Sequence, residues 1–521
     1  MKNKLLVLSI ICCLTNVATA KEEDYSKYLI PTDGYIQMDD TAHIEGSIAK
    51  GQELNLADCL ELALSNNPRI QSAIANSAAA KALGVQTIAN YAPRLNLNSS
   101  ITRAKPDTTI SRMSDDPYTK YLLGTIGIRQ LVYDFGFTQN QYTIDKLSHQ
   151  ASVDNIENII NDVVYQVKDS YYFLMLALEN RRVMEETVAS FEDIYKQAKA
   201  FYEVGAKAKI DVTIAEVNLE DARSRLIEAR YSVDIATSKL NNAIGLPFIE
   251  PYEVVGKLPF SETQFPIKRA IEYANEFRPD LKMALANIKM ADQYVKLAKK
   301  SAFPRLEFAA NLSAGGRDSM AEKNWYDLGG YLTFPTFNPL LLGNQVKEAR
   351  SLYERQQFDT KAAVNNMYLE IQSTYAKMIE TKERVPVAKL AVKKALENFD
   401  IAKGRYKVGL SDPIELKDAQ LQYQNSQLSH IKALYDYNSA KAKLEQAIGH
   451  SLEEKTEVEQ TVQEQKVEES AKTKEETPSV DSAKTDEIAP DENSAAVEKN
   501  VQTVNSVEVE QENSTETSDD I

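Results

Sequence analysis

Long stretches of this chain place apolar side chains three and four residues apart, which is the spacing of a coiled-coil helix. Between residues 137 and 204 these positions include Val153, Ile156, Ile160, Val163 and Val167. A shorter helical pattern follows from about Ile210 to Ile244, and a second long helix is predicted from about Leu340 to Val408. The pattern predicts two helical hairpins, each with one long and one shorter arm.

The two hairpins turn at related hexapeptides, Tyr202–Lys207 and Tyr406–Ser411. Gly205 and Gly409 supply the left-handed residue that ends a helix without a Cβ clash. Each hexapeptide is therefore predicted to form the tip of a helical rod.

The second tip also carries a helix-start signal. Asp412 is expected as the N-cap and Pro413 at the first helical position. Glu415 stands where the partner of a capping box belongs. These residues predict a sharp helix-turn-helix.

A different pattern, strict alternation of apolar and polar residues, occupies residues 94–102 and 121–133 and returns near 305–314 and 326–334. Alternation is the period of a strand with two unlike faces. The four strands have about the length that a transmembrane β-strand needs. Four strands cannot close a barrel and lipid does not tolerate open edges, so copies of the chain must combine. The alternative is a soluble four-stranded sheet that caps a coiled coil.

The order of elements repeats along the chain. Pro68 and Pro93 are matched by Pro279 and Pro304, both 211 residues later, and Gly205 and Gly245 are matched by Gly409 and Gly449, both 204 later. Such nearly constant offsets indicate a tandem duplication. We assign residues 51–248 to the first repeat, with its hairpin near 94–133, and 264–450 to the second, with its hairpin near 305–336. Residues 249–263 connect them.

The first 20 residues have a charged start, a short apolar core and an Ala-Thr-Ala end, which is typical of a secretory signal peptide. Lipidation after cleavage at Cys12 or Cys13 is an alternative with a poor recognition sequence. After cleavage at Ala20 only Cys59 remains, so no intrachain disulfide is expected. Residues 21–50 are polar and weakly patterned, and we interpret them as an extended arm.

Most of the net charge of −16 lies in residues 451–521, which carry 21 Asp or Glu against 6 Lys or Arg. This segment lacks aromatic residues and is predicted to be disordered. The rest of the chain is nearly neutral, which excludes a nucleic-acid partner because such a partner needs a basic face. The four histidines are scattered, and we find no metal-ligand spacing, phosphate loop or nucleophile elbow, so neither a cofactor nor an enzyme activity is predicted.

Four motifs of the first repeat have counterparts in the second: Leu54–Pro68, Pro93–Leu95, Leu131–Gly136 and Tyr202–Gly205. With those counterparts they resemble, in fixed order over about residues 51 to 450, the TolC-type outer-membrane efflux protein family. The resemblance implies a mainly α-helical protomer that adds four transmembrane strands to a homotrimer with a twelve-stranded barrel in the outer membrane. An α-helical coiled-coil tunnel continues across the periplasm, docks a periplasmic adaptor and leads to an inner-membrane transporter.

Proteins of that family export drugs or other small molecules, or secreted proteins as in type I secretion, and do no covalent chemistry. The alternative from the residues themselves is a periplasmic coiled-coil tether without a pore.

The resemblance also implies roles for residues near the tips. Glu415 and Asp418 match an acidic ring near the periplasmic entrance, and their spacing places both on one helical face. Asp211 and Tyr406 match a latch that holds the entrance closed through a hydrogen bond. Ser411 stands where some members carry an arginine, which weakens the match to that latch.

The tip motif that meets the adaptor corresponds to six residues: Val204, Gly205, Val408, Gly409, Leu410 and Ser411. The glycines are needed for the turns in any case. The apolar Val408 and Leu410 at an exposed tip are the better indication of a partner.

Overall fold

The computed structural model describes residues 53–104, 119–246, 253–256, 258–261, 265–317, 323–335 and 338–452. The predicted signal peptide and extended arm lie outside these residues. So does the acidic tail, apart from Ser451 and Leu452, which belong to the same compact unit as the helices before them.

The first half of the chain begins with a two-residue strand and two short helices, continues through a hairpin of strands, and ends in a long helical hairpin. Its elements are β1 (Glu53–Leu54), α1 (Leu56–Asn66), α2 (Pro68–Ile88), β2 (Arg94–Ala104), β3 (Thr119–Tyr133), α3 (Phe137–Glu203) and α4 (Lys209–Ile244). Helix α3 has 67 residues and is therefore roughly 100 Å long at 1.5 Å per residue.

The second half repeats this order element by element. It contains β4 (Glu253–Val254), α5 (Ile267–Phe277), α6 (Pro279–Lys300), β5 (Arg305–Arg317), β6 (Lys323–Thr333), α7 (Pro339–Lys407) and α8 (Pro413–Ile448). Helices α3, α4 and α7 begin and end within two residues of the predicted positions. The strands differ more: β3 begins two residues earlier than predicted, and β5 ends three residues later.

One pairing in the structure was not predicted. Strand β4 lies in the connection between the repeats and pairs in parallel with β1, with Leu54 opposite Val254. The Val255 amide also donates to the Leu54 carbonyl at 3.2 Å. This small sheet joins the start of the two repeats.

The shorter helices of the first half meet end to end at Gly245. This residue ends α4 with φ +86°, and a Cβ placed on it would come within 2.8 Å of both Asn67 Cα and Pro68 Cδ. The Asn67 side chain caps α2 by accepting from the Arg69 amide at 2.9 Å, and its Nδ2 donates to the Ala243 carbonyl at 2.8 Å. One asparagine thus satisfies the end of one helix and the start of the next.

The equivalent junction in the second half uses an arginine. Arg278 Nη1 donates to the Ala447 carbonyl at 2.9 Å, and Gly449 lies against the Arg278 backbone. The guanidinium also contacts Asp280 at 2.8 Å and Glu370 on α7 at 2.5 Å. The second junction is therefore tied to its long helix by ion pairs.

The four longer strands form one antiparallel sheet in the order β2-β3-β5-β6. The register aligns Leu97 with Ile126, Ile126 with Leu312, and Leu312 with Tyr326, so apolar positions share one face. Its large exposed side chains are Leu95, Leu97, Ile101, Ile126, Ile128, Phe308, Leu312, Tyr326, Leu328 and Leu332. The other face is mostly polar and carries Arg94, Asn96, Asn98, Ser100, Thr102, Thr125, Arg129, Glu307, Asn311, Ser313, Asp327 and Thr333, together with the apolar or aromatic Leu123, Leu131, Trp325 and Tyr331.

The helices pack side by side in one layer. Next to the sheet the order is α2-α3-α6-α7, and in the half away from the sheet it is α4-α3-α8-α7. Three apolar clusters hold this layer, and one of them joins both helical hairpins near their tips. None of the described helices combines the length and the apolar character needed to cross a membrane.

Gly245→Ala is expected to destabilise the fold more than Gly205→Ala. Both residues have positive φ, which costs other residues roughly 1–2 kcal/mol. Only at position 245 would the new Cβ meet backbone, because nothing lies within 4 Å of a Cβ at position 205, and overpacking adds roughly 1–3 kcal/mol. Thermal unfolding followed by helical circular dichroism measures the difference, and equal midpoints would contradict close packing at the junction.

Candidate functional site

Both hairpin tips end their long helices with the same hydrogen-bond motif. At the first tip the Gly205 amide donates to the Tyr202 carbonyl at 2.9 Å and the Ala206 amide to the Phe201 carbonyl at 2.8 Å. These two bonds define a Schellman motif, which requires a left-handed residue. Gly205 has φ +73° accordingly.

The second tip is built in the same way. The Gly409 amide donates to the Tyr406 carbonyl at 3.1 Å and the Leu410 amide to the Arg405 carbonyl at 2.9 Å. Gly409 has φ +77°. The side chain of Asp412 then caps α8 by accepting from the Ile414 amide at 3.0 Å.

The tips expose apolar side chains at their ends. Val204, Val408 and Leu410 have exposed fractions of 76%, 69% and 73%. Two further exposed residues, Ile210 and Ile414, were missed by the sequence analysis. They lie in the first turn of α4 and α8. Both repeats carry isoleucine at this equivalent position, and that repetition could have indicated the exposed apolar pair from the sequence.

Ser411 does not belong to this exposed surface. Its exposed fraction is 7%, and its hydroxyl donates to Glu415 Oε2 at 2.5 Å. The sequence predicts Ser411 at the docking surface, but the chain turns inward directly after Leu410 to begin α8 and buries the serine.

Glu415 does not form the predicted capping box. Its Oε1 lies 3.1 Å from Arg405 Nη1, in the last turn of α7, and its Oε2 accepts from Ser411. Both carboxylate oxygens are thus engaged across the turn rather than with the Asp412 amide. The sequence analysis did not find Arg405, although a basic residue in a last helical turn is a recognised signal.

Asp418 lies one turn after Glu415 and is exposed. It has no hydrogen-bond or ion-pair partner among the residues that the structure describes. Together with Asp412 and Glu415 it lines an open groove that also contains Asn398 and Gln422. The two predicted ring residues therefore share a surface but differ in charge compensation.

Tyr406 lies in the core between the two tips. Its exposed fraction is 1%, and its hydroxyl has no hydrogen-bond partner among the described residues. The predicted bond to Asp211 is therefore not formed in this conformation. Burial raises the pKa of Tyr406, and the nearby carboxylates of Asp211 and Asp412 raise it further.

Apolar contact joins the tips instead. The rings of Phe201 and Tyr406 meet edge to face with 6.2 Å between centroids. Around them, Ala198, Leu219, Phe399 and other residues from all four arms form one cluster. Because the contact is made by packing, it depends on the shapes of both hairpins and not on a single hydrogen bond.

The described residues offer little for covalent chemistry. They contain no group of three or more His, Cys, Asp or Glu that could hold a metal ion. Cys59 is buried, and burial followed by the charge of Asp58 raises the pKa of its thiol to about 12. A thiol with such a pKa is a poor nucleophile. What the tips offer instead is charged and apolar surface for non-covalent binding.

Comparison with known proteins identifies the family. A family model described as outer membrane efflux protein matches residues 59–246 and 270–450. The alkaline protease secretion protein AprF of Pseudomonas aeruginosa is 21% identical over 408 residues, which is 75% of this chain and 83% of AprF. The outer membrane efflux protein BepC of Brucella suis is 22% identical over 431 residues, 78% of this chain and 88% of BepC.

The fold is also similar to that of a solved channel. The crystal structure of the Campylobacter jejuni CmeC outer membrane channel superposes with a TM-score of 0.66 at 19% identity, over 78% of this chain and 88% of CmeC. The resemblance predicted from the repeated motifs is confirmed. The chain belongs to the outer membrane efflux protein family and is an export channel of the outer membrane whose helical tunnel lies in the periplasm.

Proposed function

We propose that three copies of this chain assemble into one conduit, in which three four-stranded sheets close a twelve-stranded barrel. The observation that carries the proposal is the sheet itself. One face is mostly apolar, the other is mostly polar, and β2 and β6 each pair on one side only among the described strands. In lipid such edges must be paired, and pairing β6 of one copy with β2 of the next turns the polar face toward a lumen.

The edges of the helical layer support the same assembly. Helix α7 lies at one edge and exposes Leu352, Phe358, Leu369, Val387, Leu390 and Ile401. Helices α2 and α4 lie at the other and expose Ile74, Leu83, Val85, Val217, Ile227, Tyr231 and Ile235. Burying one edge against the other would remove both apolar surfaces from water, at roughly 25 cal/mol for each Å².

The cargo enters from the tips. A periplasmic adaptor would cover the apolar tip surface, defined as Val204, Ile210, Val408, Leu410 and Ile414, and connect the channel to an inner-membrane transporter. We assign the chain to a tripartite efflux or type I secretion system that exports drugs, other small molecules or proteins. A tether without a pore would not need a sheet with one apolar face.

The closed entrance depends on the contact between Tyr406 and the first tip. The ring of Tyr406 packs on Phe201, and the carboxylate of Asp211 lies near its hydroxyl. A latch of this kind opens when the hairpins move apart. The movement exposes the ring of Tyr406 to water, and it breaks no hydrogen bond of the Tyr406 hydroxyl with a described residue.

The purified mature protein is expected to have the mass of three chains by native mass spectrometry and to conduct ions in planar lipid bilayers. In the same recordings, Tyr406→Ala should raise the conductance because it removes the ring that joins the tips.

Tyr406→Phe is the matched control and should leave the conductance unchanged, because only the unpartnered hydroxyl is removed. A monomer that does not conduct while correctly folded would overturn the assembly. A higher conductance of Tyr406→Phe would instead show that the Tyr406 hydroxyl holds the entrance closed through a hydrogen bond.

Asp418→Asn is expected to reduce the cation selectivity of the open channel more than Glu415→Gln does. Arg405 already offsets the charge of Glu415, whereas Asp418 has no cationic partner among the described residues. Three copies of a free carboxylate in one narrow lumen concentrate negative potential. Reversal potentials in a salt gradient, recorded for each variant on a Tyr406→Ala background, measure the effect.

Arg405→Gln provides the opposite change. It frees Glu415 and should raise cation selectivity, and this rise should vanish when Glu415→Gln is added. Equal losses from Asp418→Asn and Glu415→Gln would show that the ion pair with Arg405 does not persist in the channel.

Gly409→Asp is expected to abolish export without affecting assembly. Nothing lies within 4 Å of a Cβ at this position, and Asp tolerates the left-handed region better than most residues. The variant therefore places a charge in the apolar tip surface at a cost to folding of roughly 1–2 kcal/mol. Cellular accumulation of an exported dye, at equal levels of surface trimer, is the measurement.

Gly409→Asn is the control, since it has nearly the same shape and backbone preference but no charge. It should keep most of the export. Normal export by Gly409→Asp would remove the second tip from the docking surface, and equal failure of both variants would point to the turn and not to its apolar character.

A further inference from the structure

A pocket at the base of the sheet collects three arginines. The side chains of Arg94, Arg129 and Arg305 line it from strands β2, β3 and β5. All three lie on the polar face of the sheet. Asn90, Leu131, Asp134, Phe137, Thr138 and Glu307 complete the lining. We call Arg94, Arg129 and Arg305 the arginine pocket.

Two of these arginines stand directly opposite each other. Arg94 and Arg129 are paired in the register of β2 and β3. Like charges at directly opposed positions destabilise a sheet, because their Cβ atoms are only about 5 Å apart. An anion between the two guanidinium groups would therefore stabilise the sheet.

The carboxylates of the pocket do not fully compensate these charges. Glu307 Oε2 lies 3.9 Å from Arg129 Nε, and both side chains are partly exposed, so this ion pair is weak. Arg94 bonds to the neutral Asn90. Arg305 lies with its guanidinium carbon 4.8 Å from the centre of the Phe137 ring. Neither Arg94 nor Arg305 forms an ion pair with a described residue.

Asp134 is already occupied by other donors. Its carboxylate accepts from the Thr138 amide at 2.8 Å, the Gly136 amide at 3.1 Å and the Tyr91 hydroxyl at 3.2 Å. Burial would raise the pKa of Asp134, but these hydrogen bonds outweigh it and lower the pKa. The ionised carboxylate thus caps the start of α3 and has no ion pair with the arginines.

In the proposed assembly, the base of the neighbouring β6 would add no carboxylate to the pocket. At the base of β6 the polar face carries Gly329, Tyr331 and Thr333, the last of which pairs with Arg305. The acidic residue of that strand, Asp327, is six residues farther along and accepts from Asn311 Nδ2 at 2.7 Å. Pairing β6 with β2 of the next copy would therefore leave the excess of positive charge in place.

We propose that the arginine pocket binds carboxylate- or phosphate-bearing anions at the point where the helical tunnel meets the barrel. The planar guanidinium group donates two parallel hydrogen bonds to such groups. The placement of the pocket in the lumen rests on the proposed trimeric channel. In that channel, three such pockets face the lumen and bind anionic solutes or acidic segments of an exported chain.

Binding is tested on the full-length protein purified in dodecyl maltoside, which carries no phosphate. Isothermal titration with inorganic tripolyphosphate and with citrate is expected to show binding by the wild type. Arg94→Gln/Arg305→Gln should weaken it at least about tenfold, because two charge-assisted hydrogen bonds are lost. Arg305→Gln alone is the second variant if the double variant does not assemble, and it should show an intermediate loss.

Lys323→Gln is the matched control. Lys323 lies on the same face at the opposite end of the strands, where it pairs with Gly315. The substitution Lys323→Gln removes one positive charge far from the pocket. It should change the affinity for the anion by less than about twofold, since separated exposed charges are screened. An equal loss in this control, an unchanged affinity in the arginine variants, or no binding by the wild type would each overturn the proposal.

Two further measurements locate the ligand. If short-chain phosphatidic acid binds but citrate and tripolyphosphate do not, the pocket holds a lipid headgroup and the lumenal assignment is wrong. In bilayer recordings, citrate should reduce the current through the wild type and do so less in Arg94→Gln/Arg305→Gln. Absence of any wild-type current would count against the channel, whereas the titration in detergent would still decide whether the pocket binds anions.

Discussion

A sheet that has one mostly apolar face, and edge strands β2 and β6 unpaired among the described residues, is unstable alone in both water and lipid. In water the apolar face would be exposed, and in lipid the free amides and carbonyls of β2 and β6 would remain unsatisfied at a cost of several kcal/mol each. Both problems would end if copies joined edge to edge, as in the proposed trimer. The polar face would then enclose the lumen, so one constraint accounts for both the assembly and the conduit.

The helices follow from the same constraint, because a layer that continues the sheet must keep its width over about 100 Å. In each half, one uninterrupted helix runs beside two shorter helices that meet end to end. Such a junction needs a residue with no Cβ and a side chain that satisfies both helix ends. Gly245 with Asn67, and Gly449 with Arg278, meet this need by different chemistry. The duplication therefore preserves the geometry while the second copy gains ion pairs.

Much of this architecture could be predicted from the sequence, because glycine and proline mark where helices turn and stop. The bounds of α3, α4, α7 and α8 depend on such residues and were correct within two positions. The strand ends were less accurate, since alternation fades gradually. The pairing of β1 with β4 was missed because a strand of two residues has no period to detect.

Side-chain partners at the tips were harder to predict for a related reason. A sequence motif places Glu415 at the third position of α8, where a capping box is the local option. The folded turn instead brings Arg405 from the preceding helix within 3.1 Å, and a charged partner competes successfully with a backbone amide. The burial of Ser411, and the fact that the Tyr406 hydroxyl has no partner in the described part of the chain, likewise depend on how the two hairpins pack together. The local sequence does not contain that information.

In the proposed channel, the two charged regions would act independently of each other. Asp418 lies near the tips, and the arginine pocket lies where α3 begins, so nearly the whole of α3 separates them. Its length of roughly 100 Å is more than ten times the screening length of about 8 Å at physiological ionic strength. The proposed negative entrance would therefore not repel an anion bound in the arginine pocket. A solute meets the two fields in succession, and passage depends on its local charge at each point more than on its net charge. An adaptor that covers the tips would alter only the first of these fields.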